Sequence, residues 1–500
     1  MRKLFFIAGF CSLMAAPAYA QTVSAWETKA DRSQLFTLQE ETVDFDYRRN
    51  ERAAYIVVDP AQSYQTMEGF GFALTGGSAE HLIKMTPSAR HEILQEMFNP
   101  REGVGFSYIR LTLGSSDLNS FTFSYNDIEE GKEDFGLRKF SLSQDLKDVV
   151  PVMQEILGIN PDIPVMSSPW SAPVWMKESG NIRGGRLRKD CYQVYAEYFV
   201  KYIQAMEKEG IHIDAVTIQN EPLNSRNTPS MPWDPADQIE FVKNHLGPEF
   251  EKAGLDTEIV VFDHNCDRPD YALAVYNDPE AARYVAGSAY HHYRGDLSAM
   301  KYVYEARPDK KIYFTEQMTT ERPGMDRIDI AAPVKRLIIG VTRNWSSNVI
   351  LWNLAADPLN DPHTDNGGCS MCQGAITIDG DKVTRNLAYY VIAHASKLVP
   401  PGSKRIFSTA PGERVISLCE DEQHPQMWRT NVIEKADVPD NVTFLTPQGK
   451  IVMIVSNDSW SRREVNIQYN GKFARLRLAP GSVTTYVWDA EWSVLWKAFQ

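Results

Sequence analysis

Two glutamates, Glu221 and Glu316, each follow a short apolar segment directly. The segments are Ala215–Asn220 and Lys311–Thr315, and both have the composition of buried strands. A retaining β-glycosidase needs such a pair, because one carboxyl group attacks the sugar while the other protonates the leaving oxygen and later activates water. The two carboxyl groups of such an enzyme stand about 5–5.5 Å apart. The sequence therefore predicts that these side chains converge across one sugar-sized gap.

Short apolar segments alternate with amphipathic stretches through the middle of the chain, as in repeated βα units. The candidate strands are Met67–Phe72, Phe106–Leu113, Ile163–Ser168, Ala215–Asn220, Glu258–Phe262, Gly287–His292, Lys311–Thr315 and Asn348–Asn353. Between them, Pro87–Met97 and Tyr192–Lys208 have apolar residues at helical spacing. Eight such units close into a (β/α)₈ barrel, whose functional groups gather at the C-terminal ends of the strands, where both glutamates fall.

Strand-forming segments flank the barrel on both sides. Thr42–Tyr47 and Ala54–Val58 precede it, and the segments that follow it are Val442–Leu445, Lys450–Val455, Glu464–Tyr469 and Ser482–Trp488. The N-terminal strands have too few partners of their own, so we expect them to join the C-terminal sheet. The predicted fold class is α/β: a (β/α)₈ TIM barrel at residues 63–398 with a side all-β sandwich, built from residues 21–62 and 399–500.

The N-terminal segment Met1–Ala20 contains two cations, an apolar run and the small-x-small sequence Ala18-Tyr19-Ala20, as a signal peptide does. We therefore expect residues 1–20 to be removed and the protein to be periplasmic or extracellular in a bacterium. No later segment has the ~18 apolar residues of a membrane span. The formal net charge of −13 makes nucleic acid and anionic lipid poor partners, whereas a neutral polysaccharide is unaffected.

The sequence Cys369-Ser370-Met371-Cys372 permits a zinc site, a redox site or a local disulfide. No second pair accompanies it, and Cys191, Cys266 and Cys419 show no matching spacing. In an exported protein this favours the local disulfide.

Six motifs, taken in order, resemble those of glycoside hydrolase family 30, the glucosylceramidase-like β-glycosidases. They are Gly69–Thr75, Tyr108–Thr112, Ser168–Lys177, Asn220–Pro222, Thr315-Glu316 and Leu351–Leu354. The resemblance implies that Glu221 is the acid/base and Glu316 the nucleophile of a retaining enzyme. It also implies that no metal or organic cofactor takes part.

The resemblance further implies seven substrate-binding residues, which are Arg110, Asp117, Trp170, Asn220, His291, Tyr293 and Trp352. Arg110 matches the family arginine beside the nucleophile, where a fixed cation keeps a carboxylate ionised; its alternative is a salt bridge that lines the barrel. Asp117 and Trp170 match positions that hold the non-reducing sugar.

His291 and Tyr293 match the family's His-x-Tyr, with His292 directed away from the site along an alternating strand. A metal site at the paired histidines is disfavoured, because no third ligand follows at suitable spacing. Trp352 matches a family tryptophan on the eighth strand, with core packing as the alternative. Asn220 carries an amide that could bind the sugar 2-hydroxyl.

Two departures from the family pattern bear on the substrate. The loop Asp357–Ile376 differs from the animal lysosomal enzymes and looks like bacterial and fungal members that include β-1,6-glucanases. Thr75-Gly76 replaces the Thr-Asp of glucosylceramidases. We therefore expect a monomeric retaining hydrolase of β-1,6-glucan. The alternatives are glucosylceramide, β-xyloside or β-fucoside as substrate, and a carbohydrate-binding protein on an inactive barrel. The sequence does not decide between endo and exo cleavage.

Overall fold

The computed structural model describes residues 21–321, 324–420, 428–433 and 435–490; the expected signal peptide lies outside the described residues. Its centre is a sheet of eight parallel strands, numbered here as barrel strands one to eight. They are Gly69–Leu74, Tyr108–Thr112, Val165–Ser168, Ala215–Thr217, Glu258–Cys266, Val285–Gly295, Lys311–Glu316 and Asn348–Leu351. Strand eight pairs with strand one. A single bridge between Ile312, on strand seven, and Ser346, just before strand eight, closes the ring. The predicted TIM barrel is therefore confirmed.

Side chains from seven of the strands fill the centre of the barrel, which is a packed core and not a pore. They are Tyr108, Met166, Ala215, Val260, Ala289, Tyr313 and Ile350. Strand one instead places glycine beside its neighbour. A Cβ at Gly71 would lie 1.8 Å from the carbonyl oxygen of Tyr108, so only glycine permits this close approach.

Helices cover the outside of the barrel. The segment Tyr192–Lys208 is helical as predicted, and its apolar face packs against the strands. The other helical segments are Gly76–Lys84, Pro87–Phe98, Asp145–Lys147, Val149–Ile159, Val174–Met176, Lys189–Cys191, Pro235–Phe241, Val242–Leu246, Gly247–Ala253, Pro269–Asn277, Pro279–Ala282, Ser298–Ala306, Ala331–Pro333, Val334–Gly340, Val341–Arg343 and Leu387–Ser396. Three short strands, Ala355–Ala356, Ile376–Asp379 and Lys382–Arg385, form a small sheet after strand eight. Within the described residues, no helix has the length and apolar character that crossing a membrane requires.

A second, ten-stranded sheet forms the β-sandwich domain. Its strands are Thr22–Thr28, Thr37–Leu38, Val43–Asp44, Ala54–Thr66, Lys404–Ser408, Asp440–Leu445, Lys450–Asn457, Arg463–Tyr469, Lys472–Leu478 and Ser482–Asp489. Thr22–Thr28 pairs with Ser482–Asp489, and Ala54–Thr66 pairs with Lys404–Ser408 and Arg463–Tyr469. The N-terminal strands therefore do join the C-terminal sheet. Val415–Glu420 and Trp428–Ile433 pair antiparallel in a separate two-stranded sheet.

The strand expected at Thr42–Tyr47 is reduced to Val43–Asp44. The N–H of Phe45 donates to the carbonyl of Gln21 in the same register, and Asp46 beyond it makes only an isolated bridge to Phe473. Phe45 is buried in the sandwich core, so the segment still contributes to packing.

Buried polar side chains connect the two domains. His394, on a barrel helix, has one ring nitrogen 2.8 Å from the hydroxyl of Thr28 and the other 2.9 Å from that of Thr485. Arg343 donates to Ser408 and Asn441 of the sandwich. These contacts fix the sandwich against the side of the barrel.

Candidate active site

Glu221 and Glu316 lie at the same end of the barrel, after strand four and at the end of strand seven. Glu221 has a φ of 49°, which is uncommon for a residue with a side chain. Its N–H donates to the carbonyl of Asp263 at 3.0 Å, which fixes this turn. Carboxylate oxygens of the two glutamates and a ring nitrogen of His291 lie within 4.8 Å of one another. This separation fits double displacement and is too short for an inverting enzyme, which needs about 6.5–9.5 Å between its carboxyl groups.

Arg110, on strand two, is fully buried and connects both glutamate-bearing strands to the rest of the site. Its guanidinium donates to Glu316 Oε2 at 2.7 Å and to Asn220 Oδ1 at 2.8 Å. It also donates to Ser168 Oγ at 3.1 Å and Asp263 Oδ2 at 2.8 Å. The planar, five-donor guanidinium suits this arrangement, which a lysine could not reproduce.

Asp263 is a central residue of the site that the sequence reasoning missed. Each of its carboxylate oxygens accepts two hydrogen bonds. Oδ2 accepts from Arg110 and Thr217, and Oδ1 accepts from His291 and Thr315. Burial by itself would raise the pKa of Asp263, but the Arg110 charge and the contacts with His291 hold it well below its usual range. Strand five, predicted to end at Phe262, continues to Cys266 and carries Asp263 into the site.

His291 lies between the three acids. Its Nδ1 is 3.1 Å from Glu221 Oε1 and 3.8 Å from Glu316 Oε1, and its Nε2 is 3.0 Å from Asp263 Oδ1. Burial by itself would lower the pKa of His291, but the negative charge of Glu316 and the contacts with Asp263 and Glu221 raise it to about 10. The imidazole is therefore cationic in the unliganded site, with a proton on the nitrogen that faces Glu221.

The two glutamates titrate differently, although not in the direction that an acid/base role for Glu221 first suggests. Burial by itself would raise the pKa of Glu221, but the hydrogen bond and charge of His291 lower it to about 2. Burial raises the pKa of Glu316, against the charges of His291 and Arg110. The pKa of Glu221 falls and that of His291 rises for the same reason, which is the contact between this carboxylate and the imidazole.

Three further side chains complete the surroundings of the glutamates. The hydroxyl of Tyr293 donates to Glu316 Oε1 at 3.1 Å and accepts from the N–H of Met318. Asn224 Nδ2 donates to Glu221 Oε2 at 2.6 Å, and His264 Nε2 is 3.8 Å from Glu221 Oε1. Asn224 and His264 were not singled out from the sequence. Asn224 lies in the loop that begins with Glu221, and His264 directly follows Asp263 on strand five, and these positions could have drawn attention to them.

Trp170 and Trp352 form an aromatic wall. Their rings stack with centroids 5.3 Å apart, and Arg110 lies 5.0 Å from the first ring and 5.9 Å from the second. The buried indole N–H of Trp170 lies beside Asp117 but outside regular hydrogen-bond geometry. Burial, with the charges of Glu316 and Glu221, raises the pKa of Asp117 to about 8. Asp117 therefore carries a carboxyl that can donate as well as accept when a sugar hydroxyl approaches.

A cleft of about 800 Å³ opens above these residues. Asp117, Glu221, Glu316 and Trp352 line its deep part, and the loops after strands four, five and six line its outer part. The structure thus brings all seven predicted binding residues and both glutamates to one end of the barrel. The amide oxygen of Asn220 accepts a hydrogen bond from Arg110, so this oxygen already has a partner within the protein.

The disulfide Cys369–Cys372 is present and borders this cleft. The sulfur of Cys372 is 3.5 Å from that of Met318, and Cys372 packs in one cluster with Trp170 and Trp352. Elsewhere in the same loop, the N–H of Thr364 donates to the carbonyl of Asp117 at 2.9 Å. The loop after strand eight therefore helps to close the side of the cleft that contains the indoles. Cys191 and Cys266 are buried thiols.

Among the described residues, one group of three ligand types lies close enough to hold a metal ion: Glu221, His291 and Glu316. The guanidinium of Arg110, 2.7 Å from Glu316, and the cationic His291 already supply positive charge there. A metal ion there would be a third cation, and both of these groups would repel it. The arrangement suits proton transfer and nucleophilic attack better than metal binding.

A (β/α)₈ barrel with two carboxylates facing one sugar-sized gap defines a glycoside hydrolase. Residues 67–399 match the model of the glycosyl hydrolase family 30 TIM-barrel domain, and residues 402–486 match that of the glycosyl hydrolase family 30 beta sandwich domain. The chain belongs to glycosyl hydrolase family 30 and is a retaining β-glycosidase.

The chain is similar to several characterised proteins. It is 35% identical over 358 residues to an endo-1,6-beta-D-glucanase of Aspergillus fumigatus, which covers 68% of this chain and 71% of the relative. It is 26% identical over 462 residues to the lysosomal acid glucosylceramidase of Mus musculus, covering 87% and 83%. A solved structure of an endo-beta1,6-glucanase superposes with a TM-score of 0.81 at 33% identity, covering 94% of this chain and 99% of the other.

Proposed function

We propose that this protein is an exported endo-hydrolase of β-1,6-linked glucan in which Glu316 is the nucleophile and Glu221 the acid/base. The observation that carries the catalytic part is the convergence of Glu221, Glu316 and His291 within 4.8 Å. A gap of this size admits an anomeric carbon and its glycosidic oxygen, but not an additional water between the carboxylates.

In the first step, a carboxylate oxygen of Glu316 attacks the anomeric carbon as the bond to the leaving oxygen breaks. Arg110 and Tyr293 each donate to one oxygen of Glu316, which orients the carboxylate for attack. The leaving oxygen takes a proton from Glu221. His291 Nδ1, 3.1 Å from Glu221 Oε1, supplies that proton as a sugar enters and the charge balance of the site changes.

In the second step, Glu221 accepts a proton from a water that attacks the same carbon and releases Glu316. Two inversions at the anomeric carbon give net retention. Asp263 holds His291 and Arg110 throughout, so both side chains stay aligned with the glutamates while His291 loses and regains its proton.

The seven binding residues are proposed to hold the sugar on the non-reducing side of the scissile bond. The stacked indoles of Trp170 and Trp352 offer an apolar wall, and Asp117 offers a carboxyl beside it. Pyranose rings combine an apolar face with a rim of hydroxyls, so a wall with adjacent carboxyl and amide groups matches them.

Support for β-1,6-glucan comes from the relatives. Three fungal endo-1,6-beta-D-glucanases are 33–35% identical to this chain, whereas proteins named as glucosylceramidases are 25–28% identical. Glucosylceramide, β-xyloside and β-fucoside remain the alternative substrates of the same chemistry.

The deciding experiment incubates the protein with pustulan, an aryl β-glucoside and an aryl β-xyloside, and follows the products by chromatography and proton NMR. The proposal expects short gentio-oligosaccharides from pustulan, with the β-anomer appearing first. Cleavage of the xyloside with pustulan untouched would overturn the glucan assignment, and an initial α-anomer would overturn retention.

Export is tested separately. Mass spectrometry of the protein recovered from the periplasm or medium should find an N-terminus at Gln21. Recovery of the uncleaved chain from the cytoplasm alone would contradict export.

A further inference from the structure

The outer part of the catalytic cleft is lined by three exposed arginines. Arg226 follows strand four, Arg268 follows strand five and Arg294 lies at the end of strand six. Glu221 begins the same loop that carries Arg226. Because the acid/base stands beside the leaving oxygen, these loops border the part of the substrate that departs.

The backbone of each arginine is fixed, but two of the guanidinium groups have no partner. The N–H of Arg226 donates to Asn224 at 2.9 Å, and that of Arg294 donates to Asn265 at 3.2 Å. Their guanidinium groups form no hydrogen bond or ion pair with any residue that the structure describes. Arg268 differs, since Asp270 holds it through two hydrogen bonds of 2.8 Å.

This local positive charge contrasts with the rest of the chain, whose formal net charge is −13. Asp267 is the one acid among the cleft residues of the outer loops, which include Arg226, Arg268 and Arg294. A guanidinium group binds carboxylate and phosphate groups through paired, charge-assisted hydrogen bonds. A neutral glucan gives no electrostatic reason for such a concentration of cations.

We propose that the leaving-group half of the cleft binds a sugar that carries an anionic substituent, a carboxylate or a phosphate. Arg226 and Arg294 contact the anion, and Arg268, which is already paired, contributes its field. This inference rests on the proposed function and narrows its substrate class. The preferred substrate is then a β-linked glucan that bears acidic groups, or an acidic glycoside.

Equilibrium binding tests the proposal without depending on turnover. Calorimetry on the Glu316→Gln protein compares gentiobiose with gentiobionate, the same disaccharide with its reducing end oxidised to a carboxylate. Gentiobiose 1-phosphate forms a third arm, which distinguishes phosphate from carboxylate. We expect an anionic ligand to bind about fivefold more tightly than gentiobiose at low salt, and the ratio to fall as salt rises.

Arg226→Gln with Arg294→Gln, added to the Glu316→Gln protein, should bring the ratio of affinities close to one. Arg283→Gln is the matched control, because it removes an exposed arginine charge that does not line the cleft. Its ratio should equal that of the parent.

An equal affinity for gentiobiose and both anionic ligands, or a preference that survives loss of both arginines, would overturn the proposal. The failure of the proposed function is separate: it appears as absence of pustulan cleavage by the unsubstituted protein, whatever the affinity ratio.

Discussion

The two halves of the catalytic cleft are built in different ways. In the deep half, Arg110, Asp263 and His291 are fully buried, and their charged groups contact one another or the glutamates. In the outer half, Leu223, Arg226 and the neighbouring loop residues are exposed. We therefore expect the deep half, where charged groups hold one another, to be sensitive to substitution, and the exposed outer half to tolerate it.

The largest effect is expected from Glu221→Gln in the deep half. Loss of the proton donor should lower kcat/KM on gentio-oligosaccharides by about 10²–10⁴-fold. An aryl glucoside whose phenol is strongly acidic needs no protonation, so its first step should be nearly unaffected.

Parallel kinetics on both substrates check this contrast, and Glu316→Gln serves as the control, since loss of the nucleophile should disable both. An equal loss of activity on both substrates in Glu221→Gln would mean that this residue does not act as the acid.

The next largest effect is expected from Asp263→Asn. The substitution removes one of the buried anions that Arg110 and His291 share, although Glu316 and Glu221 remain beside them, and it should cost about 3 kcal/mol in the free energy of unfolding. Misalignment of both cations should lower kcat by about 10- to 100-fold. Because Asp263 raises the pKa of His291, the basic limb of the pH–rate profile should move to lower pH in the variant.

The stability difference of Asp263→Asn also depends on pH in a defined direction. The pKa of His291 is raised from 6.5 to about 10, so its ion pairs stabilise the fold fully below pH 6.5, and this stabilisation is lost as pH rises through about 10. Denaturant unfolding should therefore show the gap between parent and variant narrowing above neutral pH. A gap that widens toward pH 10 would contradict the assigned charge of His291.

A smaller effect is expected where the two halves meet, at the disulfide. Cys369→Ser with Cys372→Ser removes a short cross-link, which should lower the free energy of unfolding by about 2 kcal/mol or less. Because the loop borders the tryptophan wall, KM for oligosaccharides should rise more than kcat falls. Buried Cys191→Ser is a control that removes a thiol away from the cleft. A change in kcat alone would place the loop among the groups that act in the chemical step.

The smallest effect is expected from Leu223→Ala in the outer half. The side chain is 38% exposed and lines the cleft, so its loss should raise KM for gentiotetraose about twofold. An aryl glucoside has one small leaving group beside Glu221 and extends less far along the outer loops, so its KM should change less. A tenfold loss on both substrates would show that the outer half is as constrained as the deep half.

Much of the barrel could be predicted because its strands have a simple signal. Each is a short apolar segment between amphipathic helices, and the C-terminal ends of strands four and seven carry the glutamates in plain view. The ends of the strands could be predicted less well than their existence. Strand four, predicted as Ala215–Asn220, ends at Thr217, because the last residues turn to place Asn220 and Glu221 in the cleft.

Asp263 shows why part of the site could not be predicted from the sequence. Phe262 and Asp263 have φ values of 72° and 64°, which interrupt the regular alternation of strand five. Alternation alone does not reveal which side chain such an irregularity directs inward. The exposed arginines could not be singled out for another reason. The sequence does not show whether an exposed arginine has an ion-pair partner, and only the structure distinguishes unpaired Arg294 from paired Arg268.

The pairing of Thr22–Thr28 with Ser482–Asp489 bears on how the protein is made. A ribosome delivers the first of these strands long before the second, so the edge of the early strand has no partner throughout most of translation. The sandwich therefore completes only after the barrel that separates these two strands has been synthesised. Until then the unpaired edge can pair with a strand of another chain, which makes it a point where the unfinished domain can aggregate.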